Sequence, residues 1–329
     1  MSDSFEIIVA GADFSGNGSR YFYGNPWPGL PVNGVSSLYA AGFLGSGWAI
    51  PDALDWSRNE RHPTIVGAPT VNAKSAVCST SNCYQLPFSA TDVRDAGAVL
   101  TSAFTGSISA TTLTVSAIAS GLIWRGMKVT GTGVTANTYI VDTDTVNADG
   151  TGTYTVNNSQ TVGSEAMTGT GGNSLTYVVI AQTSATTTTA AMLMGAYNQP
   201  GRITLGYESG KLASVYGLTS GGWSATIAND ATRGTGFRQF AGIFTPTHGR
   251  VRYQGTGVTP KTANAAVPFS PVLPSNASAI RIGGHYSTGF TDTSTIVGWA
   301  AYKRGLNASE LDSINTALVP WLAARGVTL

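Results

Sequence analysis

Apolar and small polar residues alternate along much of this chain in short runs, among them MKVTG, TYIVDTDTV, GTYTVNN, RITLGY and GRVRYQG. A period of two sends successive side chains to opposite faces, so such a run folds as a strand with one face buried. Strands of about five residues are stable only when paired into a sheet that packs on something else. The 329 residues include 42% hydrophobic and 11% charged positions, the reverse of a disordered profile. Joined by turns drawn from 41 glycines, these runs predict an all-β chain of two units or one large β-sandwich.

Charge and hydropathy narrow the function. A formal net charge of +1, with no basic run, argues against a nucleic-acid partner, because phosphate binding needs clustered Lys and Arg. No apolar stretch approaches the length of a membrane span, so no membrane insertion is expected. MSDSFEIIVAGADFSG lacks a basic segment followed by a long apolar one, so no secretory signal is read and folding in a cytoplasm is expected. Cys78 and Cys83, in VCSTSNCY, fit neither zinc spacing nor a CxxC motif. Two readings stand: buried thiols flanking a turn, or a disulfide across a short hairpin formed after release from the cell.

FEIIVAGADF reads as a first strand, and Ser15 to about Pro51 as an irregular loop anchored by its aromatic rings. RNERHPTIVGAPTVNAKSAVC gives a turn and two short strands punctuated by Pro63, Gly67 and Pro69. From Ser102 the texture changes to Thr, Gly, Val and Ser. The pieces SATTLTVSAI, MKVTG, TYIVDTDTV and GTYTVNN predict a compact all-β module over 101–171, ending in TGTGGNS. It would interrupt a second unit made of residues 1–100 and 172–329. Strands resume with SLTYVVIAQTS, AAMLMGAY, RITLGYESGKLASVYGL, FRQFAGIFTPTHGRVRYQG and AIRIGGH, with ESGK as a hairpin turn.

After the strand TIVGWAAYKR, Asn307 and Glu310 have the spacing of a capping box and predict a C-terminal helix. Leu311, Ile314, Leu318 and Trp321 mark the face that lies against a sheet. Pro320 is expected to kink the last turn and Gly326 to end it.

The run IRIGG, a short loop, then TSTIVGWAAYKRGLNASELDSIN resembles the closing segment of concanavalin A-like (laminin-G-like) jelly-roll domains. There a strand with a tyrosine-and-arginine signature leads into a short helix; the matching residues are Tyr302, Arg304, Leu306, Glu310 and Leu311. GADFSG and PTIVGAPTVNAKSAV are similar to the early strands of such domains in bacteriophage tail and receptor-binding proteins. Residues 105–162, from TGSISATTLTV through GTGV to GTGTYTVNNSQTV, resemble a small β module found inside phage tail-fibre chains.

These resemblances imply an all-β fold: a concanavalin A-like jelly-roll sandwich with a C-terminal helix, interrupted by a small all-β insertion. They imply a virion component, assembled in the host cytoplasm, that binds a host cell-surface receptor (glycan or surface protein) and other virion tail proteins as a homotrimer. A tail or capsid decoration protein that binds no receptor, and a polysaccharide depolymerase, are the alternatives.

Jelly-roll domains include glycoside hydrolases, which need two carboxyl groups flanking one bond. The five glutamates, Glu6, Glu60, Glu165, Glu208 and Glu310, are far apart, and the glucanase pattern ExDxE is missing. Asp52/Asp55 and Asp92/Asp95 sit in loop-like surroundings and read as solvated surface. His62, His248 and His285 show no metal spacing, and no GxSxG elbow occurs. GYESGKLA lacks a residue between its glycines and a Ser or Thr after Lys211, so it is a hairpin and not a phosphate loop. DTDTVNADG places its glycine wrongly for a calcium loop and reads as Asx-turn chemistry. No catalytic residue, metal or cofactor is therefore expected.

Sugar binding would need aromatic faces against a pyranose and planar polar groups at its hydroxyls. Candidates are Tyr21, Tyr23, Asn25 and Trp27 in RYFYGNPWPG, Trp223 in SGGWSAT, and His285, Tyr286 and Asp292 in GGHYSTGFTDT. Core packing or a subunit interface would select the same residue types.

Overall fold

The structure is a computed structural model that describes residues 38–44, 46, 61–95, 101–147, 149–171, 174–185, 190–196, 203–217, 223–245, 248–266, 278–286 and 292–329. The predicted first strand lies outside these residues.

Two antiparallel sheets pack face to face. Among the described residues, the first runs edge to edge through Val258–Ala266, His248–Gly255, Arg238–Phe244, Leu175–Thr183, Ser294–Tyr302, Ala76–Cys78 and Thr70–Val71, with Leu38–Phe43 also pairing with Ser294–Tyr302. The second runs through Trp223–Ala228, Lys211–Gly217, Ile203–Tyr207, Ala191–Ala196, Ala279–Ile282, Cys83–Ser89 and Thr64–Val66. The chain is an all-β jelly-roll sandwich with a helix, Ala308–Ala323, near its C-terminus.

The central strand Leu175–Thr183 shows why the sequence folds in three layers. Leu175, Tyr177, Val179 and Ala181 join the core between the sheets. Val178 and Ile180 point the other way, into a second apolar layer under the helix. A strand covered on both faces is apolar throughout, so the ordinary in/out alternation is lost. Leu38–Phe43 departs from the sequence reading. The sequence reads it as loop, yet it pairs with Ser294–Tyr302 and buries Ala41 and Phe43 beneath the helix.

Asn307 caps the helix as expected: its side chain accepts from the Glu310 N–H at 2.8 Å, and Glu310 accepts from the Asn307 N–H at 2.9 Å. Leu311, Ile314, Leu318 and Leu322 are buried. Leu322 takes the fourth core position; Trp321 is half-buried and stacks on Phe43, ring centroids 4.9 Å apart. The helix continues through Pro320 to Ala323, and Gly326 follows at φ +78°, a left-handed turn that suits glycine. Burying four such side chains contributes roughly 6–12 kcal/mol before the entropy of ordering them.

A third sheet takes all its strands from residues 101–170: Thr101–Ser120 pairs with Gly152–Thr170, which pairs in turn with Lys128–Thr130 and Thr138–Val146. Its core is separate, built around Phe104, Leu113, Trp124, Met127, Ile140 and Tyr154. The two long strands run 20 and 19 residues, well beyond the five-residue pieces expected. Bulges explain the difference. Buried residues fall at 102, 104, 106 and 108, then at 113 and 115, because register shifts at Gly106/Ile108 and Ala110/Thr112 change the phase.

Polar contacts hold this sheet to the sandwich. Asp142 pairs with Arg125 of its own segment and with Arg250 of the first sheet, at 2.5 Å from the latter. Ser174 of the sandwich donates to the Arg125 carbonyl at 3.4 Å, and Arg304 lies 5.1 Å from the Trp124 ring centroid. A cavity of about 130 Å³ lies at this joint, and Trp124, Arg304 and Glu310 are among its lining residues.

Candidate functional site

Among the described residues, one cluster of outward-facing polar and aromatic groups lies at a corner of the second sheet. Ala279–Ile282 and Cys83–Ser89 are neighbours, with Arg281 opposite Gln85 and Ile282 opposite Tyr84. Alternation does the sorting: Ile280, Ile282, Tyr84 and Leu86 are buried in the core, while Arg281 and Gln85 turn outward. The chain then turns through Gly283 and Gly284 and brings Tyr286 back over Arg281, whose guanidinium carbon sits 3.9 Å from the ring centroid.

Tyr286 is held on several sides. Its hydroxyl donates to the Ala279 carbonyl at 2.9 Å and to Gln85 Oε1 at 3.2 Å. Arg281 donates to the His285 carbonyl at 2.6 Å. Partial burial raises the phenol above its ordinary range, opposed by Arg281, so the group is a neutral donor at physiological pH. With 37% of its surface exposed, the ring is fixed in place and still reachable. A guanidinium, an amide and an aromatic ring, all planar and outward-facing, can hydrogen-bond a polyol while covering an apolar face.

The other candidates divide. His285 is adjacent in sequence but turns inward; it is buried, with Nε2 3.1 Å from Thr80 Oγ1. Asp292 lies in a different network, its Oδ2 accepting from the Tyr207 hydroxyl at 2.8 Å while Tyr207 packs 4.8 Å from Arg233. Burial, with Asp292 beside it, pushes the Tyr207 phenol strongly up. Trp223 opens Trp223–Ala228, and its side chain lies outside the described residues. Tyr21, Tyr23, Asn25 and Trp27 also lie outside them. The sequence reading missed Arg281 and Gln85. The signal for Arg281 was present in AIRIGGH, where one charged residue sits between two isoleucines in strict alternation.

Other marked residues have structural roles. Asp92 accepts from the Ser89 N–H at 2.7 Å, and the Ser89 hydroxyl accepts from the Asp92 N–H at 3.2 Å, a reciprocal cap on the short helix Ala90–Asp95. Asp149 accepts from the N–H and hydroxyl of Thr151, which hold its carboxyl below the usual range, so this turn is Asx-type as expected. The residues of the C-terminal signature form a knot: Arg304 makes two bonds to Glu310, at 2.8 and 2.5 Å, while Tyr302, Leu306 and Leu311 are buried. No group of three His, Cys, Asp or Glu residues that could hold a metal occurs among the described residues. No helix among them is long and apolar enough to cross a membrane.

No family model matches this chain, and no curated protein matches it. Several solved structures are similar in shape. Domain 4 of AbnA, an extracellular GH43 arabinanase from Geobacillus stearothermophilus in complex with arabinotriose, is 12% identical, with a TM-score of 0.46 over 84% of this chain and 98% of that one. The binding domain of Paraclostridial Mosquitocidal Protein 1 is 8% identical, with a TM-score of 0.43 over 86% and 52%. The CBM40 domain of the Ruminococcus gnavus IT-sialidase, bound to α2,3 sialyllactose, is 15% identical, with a TM-score of 0.34 over 44% and 82%.

Proposed function

We propose that this chain is a lectin-like adhesion protein of a bacteriophage tail, a tail-fibre or receptor-binding component whose sandwich contacts a host-surface glycan. The observation that carries the adhesive reading is the corner patch: an exposed Tyr286 ring fixed by Arg281, Gln85 and the Ala279 carbonyl. The virion assignment rests on the sequence resemblance of residues 105–162 and of Tyr302 to Leu311. In this reading residues 101–171 are an insertion in the sandwich formed by 1–100 and 172–329, and the chain works as a homotrimer joined to other tail proteins.

The test is binding of fluorescently labelled protein to host cells and to a glycan array. Wild type binds, and Tyr286→Ala and Arg281→Ala each lose about tenfold or more in affinity with an unchanged melting temperature, as expected for an aromatic anchor. Wild-type binding that survives both substitutions removes the patch from the proposal. Absence of any binding favours a decoration protein. Light scattering at a multiple of 33.9 kDa supports the oligomer, and a clean monomer counts against it.

A further inference from the structure

Two thiols stand at the same corner, and the adhesive reading makes no use of them. Cys78 ends a strand of the first sheet and Cys83 begins a strand of the second, so the turn between them carries the chain from one sheet to the other. Ser79 and Asn82 exchange both backbone hydrogen bonds across that turn, at 2.8 and 3.3 Å. The next residues outward, Cys78 and Cys83, flank this closed turn on either side. Residues that flank a hydrogen-bonded pair in a hairpin stand about 4.5 Å apart at Cα, within the span a disulfide bridges.

Each side chain also lies against the same glycine turn. A Cβ built on Gly283 would collide with Cys78, and one built on the next residue, Gly284, would come within 2.5 Å of Cys83 Sγ. Both thiols thus face one glycine dipeptide, with only hydrogens from that side. Both are free and buried in this structure. The turn is also tied to the patch, since Thr80, at its tip, contacts His285 beside Tyr286.

We propose that Cys78 and Cys83 close a cross-strand disulfide when the chain meets a peroxide oxidant, stapling the two sheets beneath the Tyr286 patch. The Cys83 thiolate attacks one oxygen of hydrogen peroxide; the O–O bond breaks, hydroxide leaves and is protonated to water, and Cys83 carries a sulfenic acid. The Cys78 thiolate attacks that sulfur, the S–S bond forms, the S–O bond breaks, and a second water leaves. Two thiols and one peroxide thus give one disulfide and two waters. Cys83 reacts first because Arg281 opposes the rise that burial imposes on it, whereas burial and the neighbouring Cys83 both push Cys78 up. Burial keeps the reaction slow, and it waits on local opening of the corner.

Full-length protein is treated with hydrogen peroxide, then followed by intact mass, thiol titration in denaturant and peptide mapping. The expected product has lost two hydrogens, has no titratable thiol, links the two cysteine peptides and is restored by dithiothreitol. Cys78→Ser instead leaves a sulfenic acid on Cys83 that dimedone traps. A second measurement avoids slow access: equilibration in glutathione buffers, where the bond should be favoured about tenfold or more in the folded chain over the chain in denaturant. Sulfinic acids in place of the bond, or equal preference in folded and unfolded chains, overturn the proposal. A chain that forms the bond yet binds no host surface rejects the adhesive reading and leaves this one intact.

Discussion

Glu310→Ala should cost more stability than removal of its partner, Arg304. The Arg304 side chain is 4% exposed and Glu310 18%, and the guanidinium sits among rings, 5.1 Å from Trp124 and 5.8 Å from Tyr302. Deleting the carboxylate leaves a buried positive charge without that counter-charge and removes half of the capping box at Asn307. Breaking a buried pair from one side costs about 3–5 kcal/mol, and a cap about 1 kcal/mol. Solvent near Glu310 screens the pair, so about 3 kcal/mol is expected in total. Arg304→Leu should cost only about 1–2 kcal/mol, because Glu310 can turn to water and still hold the Asn307 N–H. The double variant should be milder than the sum of the singles by about 2 kcal/mol. Urea unfolding followed by tryptophan fluorescence measures all three, against a total of about 5–15 kcal/mol. If Arg304→Leu proves the costlier single variant, or if the two costs simply add, the reasoning from burial is wrong.

Other outcomes follow from the packing and titration of named groups. Leu318→Ala, at a fully buried position between helix and sheet, should destabilise by about 2–5 kcal/mol and lower the melting temperature without touching the patch. Tyr154 is pushed up to about 12 from 10.0 by burial in the third sheet and by Asp149 nearby. The unfolded phenol ionises first, so this contribution is complete below pH 10 and lost as the pH rises toward 12. Urea midpoints across that range should fall, and Tyr154→Phe should flatten the fall; a steeper decline in the variant contradicts the assignment.

The candidate site was legible only in part. Tyr286 could be named because an aromatic beside glycines in a loop is a recognisable surface signal. Its neighbour His285 carries the same kind of signal and turns inward to Thr80. Gln85 could not be found: it lies 201 residues away in sequence, and only strand pairing places it beside Tyr286.

Local rules were enough to determine the strand-rich character, the ESGK hairpin, the Asn307 cap and the helix, because period, turn chemistry and capping act over three to five residues. Tertiary structure decided the rest. Leu38–Phe43 is a strand through its pairing with Ser294–Tyr302, and Leu322 is a core residue through the sheet beneath the helix, partners that local periodicity does not report. The long strands of the third sheet emerged because a bulge shifts the phase of alternation, so one continuous strand reads as two unrelated fragments. Which outward-facing groups meet at the patch was fixed by register between distant strands, a property of the paired sheet and of no single run of residues.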